Sequence, residues 1–131
     1  PDGTLSIPVI RGARKLDLAQ VGETRRTLQE RAHAKRLKPE DMNGTALTIS
    51  NISNSRSARF AVPIIPYGQG SILVVSAARL VRNHDGESRR IVSLSFAFDH
   101  RVNNGMPAAA FLDDFVDAIE LSNSSANITT A

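Results

Sequence analysis

The run DHRVNNG, residues 99–105, places a histidine between an aspartate and an arginine just where an alternating apolar stretch, SLSFAF, comes to an end. Imidazole ionises near neutrality, so His100 suits general-base work. For that, one ring nitrogen must be oriented by a partner and the other left to reach a hydroxyl or a thiol. Asn104, four residues on, can help to hold the loop that presents the ring, and Gly105 closes that loop. The same spacing also suits a structural histidine. The residues alone leave both roles open.

The rest of the composition removes competing chemistry. The 131 residues provide for one domain with a modest core. There is no cysteine, which excludes disulfides, a thiol nucleophile and thiolate metal sites. The three histidines, His33, His84 and His100, are far apart in the chain, so no metal site is expected. No stretch has the apolar length of a membrane span, and the start, PDGTLSIPVI, lacks a signal-peptide pattern. The net charge of +3 comes from 16 Lys+Arg against 13 Asp+Glu, with many of the basic residues between positions 11 and 38. These read as the solvated face of a helix. With 5% aromatic residues and no recognisable binding motif, no nucleic-acid partner is expected.

The elements that must position His100 follow from pattern. Residues 4–10 are β-branched and aliphatic and predict a strand, with Pro8 confining it to an edge or an end. Asp17 is the predicted N-cap of a helix over 18–36, with Leu18, Val21, Leu28 and Ala32 as its apolar stripe. Residues 38–44 read as loop and 45–51 as strand. Residues 60–70 are apolar but broken by Pro63, Pro66 and two glycines, so an irregular crossing is expected. A strand over 71–81 returns through Asp85-Gly86, a strong hairpin signal, into a partner over 89–98. A last helix is predicted over 107–121 from Ala108, Phe111, Leu112, Phe115 and Ile119, with Pro107 in its first turn. Residues 122–131 read as a flexible polar tail. The class is α+β, a hairpin-rich sheet covered by two helices.

Several of these stretches resemble one family. DHRVNNG looks like the DHRxxDG signature of the dihydrolipoamide acyltransferases, the E2 catalytic cores of 2-oxo acid dehydrogenase complexes, whose fold is related to chloramphenicol acetyltransferase. LSIPVIRGARKLDLAQV (5–21), RLKPEDMNGTALTISN (36–51), VPII (62–65), SILVVSAARLV (71–81) and VSLSFAFDHR (92–101) resemble further family segments in order and spacing. The resemblance implies a chloramphenicol acetyltransferase-like mixed sheet covered by helices, here the C-terminal half, truncated on its N-terminal side. It assigns residues 1–121 to the acyltransferase-like domain. It implies acyl transfer between dihydrolipoamide and CoA, with His100 as the base that deprotonates the thiol. It implies Ser50 of TISN as hydroxyl donor to the oxyanion, with Thr48 as second choice. CoA and a lipoyl group are the implied substrates, with no metal.

The partners implied are a homotrimer or E2 core assembly with active sites between subunits, the lipoyl domain, and the E1 and E3 components. The implied location is the mitochondrial matrix or the bacterial cytoplasm. Two local departures stand out. Asn104 replaces the motif's aspartate, and the glycine-rich loop after TISN reads ISNSRSARFAVP (52–63), with two arginines and no glycine. The remodelled loop, together with the match to only the C-terminal half of the family's catalytic domain, leaves an alternative: a non-catalytic E2-like core component of the E3-binding type, serving assembly of a pyruvate dehydrogenase complex.

Overall fold

A computed structural model describes residues 5–127, with side chains described through Ser122. The chain divides into two compact units, residues 1–45 and 46–131.

The first unit centres on helix α1, Leu18–His33. Its start follows from the sequence. Asp17 accepts the Gln20 N–H at 2.8 Å, and the Gln20 side chain accepts the Asp17 N–H at 2.9 Å. This reciprocal cap satisfies two N–H groups that the helix itself cannot. The helix stops three residues before the expected end. Lys35 adopts a left-handed φ of 54°, while Lys35 N–H and Arg36 N–H donate back to Ala32 and Arg31 carbonyls. That pairing closes the final turn in the manner usually served by glycine. Leu28 is buried, whereas Leu18, expected on the apolar stripe, is 89% exposed. The strand expected over 4–10 is not formed among the described residues. One bond holds the segment, Val9 N–H to Asp41 carbonyl at 2.7 Å, and Pro8 has no N–H to extend a ladder. Within the expected loop, Pro39–Met42 forms a single 3₁₀ turn. Arg11 donates to the Glu40 and Asn43 carbonyls and so ties this turn to the segment before α1.

The second unit holds the sheet. β1 (Leu47–Asn51) runs parallel to β2 (Ser71–Val75), which is antiparallel to β5 (Leu94–Phe98). The sheet is therefore mixed. β2 lies centrally, and Ile72, Leu73 and Val74 are all buried, as a strand covered on both faces requires. Helix α2, Gly105–Asn127, packs on one face through Phe111, whose ring lies 5.1 Å from that of Phe96. The buried Ala108 lets the helix approach closely. The helix runs six residues past the expected end at 121, so residues 122–127 are helical rather than tail. Residues 128–131 lie outside the described residues.

The long hairpin is interrupted. A second sheet, β3 (Arg79–Arg82) with β4 (Ser88–Ile91), carries the predicted turn, with Gly86 at φ 81°. Val75 pairs with Leu94 and Arg79 with Ile91, so three residues on one side face two on the other. The extra residue is a bulge. The buried Ser76 fills the break: its N–H donates to the Ser93 carbonyl at 3.0 Å, and its hydroxyl accepts the Ser93 N–H at 2.8 Å.

Candidate active site

His100 sits on the turn that follows β5 and is exposed, its ring 5.5 Å from that of Phe98. The turn is built by its two charged neighbours. Asp99 Oδ1 accepts the Arg101 backbone N–H at 2.9 Å, an aspartate turn that mimics a backbone turn. The Arg101 guanidinium returns to the same carboxylate, with Nη2 to Oδ2 at 2.6 Å and Nε to Oδ1 at 3.0 Å. The Asp99 carbonyl accepts the Val102 and Asn103 N–H groups, and the Asp99 N–H donates to the Gly70 carbonyl at 2.8 Å. The last bond pins the turn to the start of β2. The guanidinium hydrogen bonds, followed by that from the Arg101 N–H, hold the Asp99 carboxyl down to about 2 from its ordinary 3.8. The same bonds raise the Arg101 pKa.

Asn104 is the residue before α2, and its carbonyl accepts the Ala108 N–H at 3.1 Å. Its own N–H is received by the Asn103 side chain at 2.9 Å. The arginine of the motif finds its carboxylate in Asp99 rather than at position 104. An amide at 104 therefore leaves no charge unmet in the turn.

Thr48 and Ser50 share one face of β1, as alternation requires. Thr48 is buried, and its hydroxyl donates to the Gln69 side chain. Ser50 is half-buried, opposite Val74. The Thr48 hydroxyl is thus committed to fixing the loop before β2, and Ser50 is the better placed of the two to meet a ligand.

One chain does not bring His100 and Ser50 together. Phe98 at the end of β5 pairs with Ser71, and Ser71 with Leu47. Ser50 lies three residues along β1 from that row and two strands across, each offset about 10 Å. His100 leaves the row at the opposite end. A base and an oxyanion donor serving one carbonyl must both reach atoms bonded to the same carbon. The two residues stand too far apart for that.

An open groove of about 700 Å³ runs beside the turn, lined by Ile65, Tyr67, Gln69 and Gly70 on one side and Asp99 and Arg101 on the other. Sequence reasoning missed Asp99 and Arg101 as builders of the site. Their signal was present, an aspartate two residues before its counter-ion at a strand end. Gln69 carried no signal, because its partner is 21 residues away. Among the described residues no cluster of metal-ligating side chains occurs, and no helix is long and apolar enough to cross a membrane.

Comparison with known proteins places this geometry. The family model for the 2-oxoacid dehydrogenases acyltransferase (catalytic domain) matches residues 1–126. The chain is 37% identical over 114 residues to the dihydrolipoyllysine-residue acetyltransferase component of the pyruvate dehydrogenase complex of Azotobacter vinelandii, covering 85% of the chain and 18% of that protein. It is 34% identical over 123 residues to the chloroplastic component 4 of Arabidopsis thaliana, covering 91% and 25%. Among solved structures it superposes with a TM-score of 0.76 and 33% identity on the Azotobacter vinelandii dihydrolipoamide acetyltransferase, covering 86% of the chain and 47% of that one. That structure was determined to investigate the role of a serine, a histidine and an asparagine in the catalytic mechanism. It also superposes on the cubic core of a pyruvate dehydrogenase multienzyme complex, with a TM-score of 0.74 and 34% identity, covering 82% and 45%. The chain thus spans about a quarter or less of the two curated relatives and about half of the solved domains. The α+β, chloramphenicol acetyltransferase-like class expected from the sequence is the fold of these neighbours.

Proposed function

Because the chain belongs to the 2-oxoacid dehydrogenases acyltransferase (catalytic domain) family, we propose that it transfers an acyl group between dihydrolipoamide and CoA. The carrying observation is His100, exposed on a turn that Asp99 and Arg101 hold at the rim of a groove. In this reading His100 takes the proton of the thiol. The thiolate adds to the thioester carbonyl, and the carbonyl oxygen becomes an oxyanion. Ser50 donates a hydrogen bond to it. Collapse of the adduct breaks the original C–S bond, and the departing thiolate takes back the proton from His100. Asn104 supports the loop from the start of α2. The histidine and asparagine of the Azotobacter enzyme stand four positions apart, as His100 and Asn104 do here.

Since His100 and Ser50 of one chain cannot share a carbonyl, the site is completed by a second copy, in a homotrimer or larger E2 core. Lipoyl domains and the E1 and E3 components are the corresponding partners, and the mitochondrial matrix or bacterial cytoplasm the location. Residues 1–121 act as parts of one acyltransferase-like domain.

The test is acyl transfer from acetyl-CoA to dihydrolipoamide by the full-length parent, beside His100→Ala. A general base predicts a loss of about two to four orders of magnitude in kcat. An inactive parent that still assembles would sink the reading and leave an E2-like core component without chemistry.

A further inference from the structure

The turn around His100 is held by a bond set that neither the resemblance nor the comparisons assign. Resting on the reading of His100 as base, we propose that Asp99 and Arg101 form a positioning pair that fixes the backbone carrying the imidazole.

The geometry carries this in three steps. The Asp99 carboxylate receives both the Arg101 backbone N–H at 2.9 Å and the guanidinium at 2.6 and 3.0 Å, so a ring of bonds closes over position 100 alone. The Asp99 N–H is bound to the Gly70 carbonyl, which anchors that ring to the sheet. The Asp99 carbonyl then takes the Val102 and Asn103 N–H groups and sets the path into α2. His100 itself makes a ring contact with Phe98 and, among the described residues, no hydrogen bond through its side chain. Its direction is therefore set by its neighbours. Arg101, 89% exposed at its side chain, adds little to global stability as an ion pair on the surface. Its consequence is local: it limits how far the base can stray from the thiol.

The experiment uses the assembled full-length chain and follows Asp99→Asn, Arg101→Gln and the exchange Asp99→Arg with Arg101→Asp, with His100→Ala alongside. A base displaced by a fraction of an ångström to an ångström predicts kcat lower by about 10- to 100-fold in both single variants. KM for both thiol substrates and the unfolding temperature stay as in the parent, and the exchanged pair recovers nothing, because an arginine at position 99 has no acceptor for the backbone N–H of residue 101. Parental kcat in Asp99→Asn overturns the proposal, as does a loss seen only in KM. Should Asp99→Asn fail to assemble, Arg101→Gln decides, since it removes the pair from the exposed side and leaves the Asp99 backbone bonds in place. If His100→Ala keeps full activity, the reading of the base has failed instead. If His100→Ala is inactive and both single variants are normal, the positioning role alone has failed.

Discussion

At the residue scale, the opposed charges flanking His100 are a structural device whose state depends on pH. The folded Asp99 carboxyl titrates near 2, below its ordinary 3.8, so its bonds to Arg101 favour the folded turn above about pH 4. That contribution is lost as pH falls from about 4 towards 2, when the carboxylate must take a proton. A titration followed on the Asp99 carboxyl carbon by NMR is expected to give a midpoint near 2, with the Arg101 Nε–H resonance broadening over the same range. A midpoint near 4 would show that the pair does not form in solution. The two hydroxyls of β1 separate in the same way. Ser50→Ala is expected to lower kcat about 10²- to 10³-fold while leaving stability near parental, as the loss of an oxyanion donor does. Thr48→Val strands the Gln69 side chain near a buried site and is expected to cost about 1–3 kcal/mol in urea unfolding, with a smaller effect on kcat.

At the element scale, what the sequence revealed was local and what it concealed was long-range. Asp17 and Gln20 sit three residues apart, and that spacing alone specifies the cap on α1. Asp17→Ala is expected to destabilise the fold by about 1 kcal/mol, read as a lowered unfolding midpoint with unchanged slope. Gly44 makes a second local case. It has φ 80°, and a Cβ there would lie 3.2 Å from Arg11 Nη1. Gly44→Ala therefore combines backbone strain with displacement of the guanidinium that ties the 3₁₀ turn, and is expected to destabilise by about 1–2 kcal/mol. The break in the hairpin was not legible, because residues 71–81 read as one mostly apolar run and the small residues 76–78 at the bulge carry no turn signal. Only the pairing register, with Ser76 bonding across to Ser93, reveals it. The strand expected over 4–10 failed for the converse reason. Its side chains suit a strand, but a ladder needs a neighbouring backbone, and composition does not say whether one is there. The end of α2 was misjudged because serine and asparagine weaken a helix without forbidding it, and the residues 122–127 continue it.

At the scale of the whole molecule, the proposed base was legible from a motif, whereas the sheet register keeps His100 away from the Ser50 of its own chain. The sheet register separates them: His100 leaves β5 at the end of the sheet from which β1 begins, and Ser50 lies towards the other end of β1. No periodicity in a single sequence encodes which surface of a second copy would meet it. A shared site has a numerical signature. Chains carrying Ser50→Ala and chains carrying His100→Ala are each expected to be nearly inactive alone. When the two are unfolded, mixed in equal amounts and refolded together, a junction is whole only where the donor half comes from the His100→Ala chain and the base half from the Ser50→Ala chain. For cyclic assembly with random mixing, half the chains supply each requirement, so about one quarter of the junctions, and about one quarter of parental activity, should return. The recovered activity should depend on the product of the two fractions as the ratio is varied, peaking at equal amounts. Recovery near zero at every ratio, in particles shown by mass to contain both chains, would mean that each chain brings both groups to one carbonyl by a rearrangement of β1 and β5.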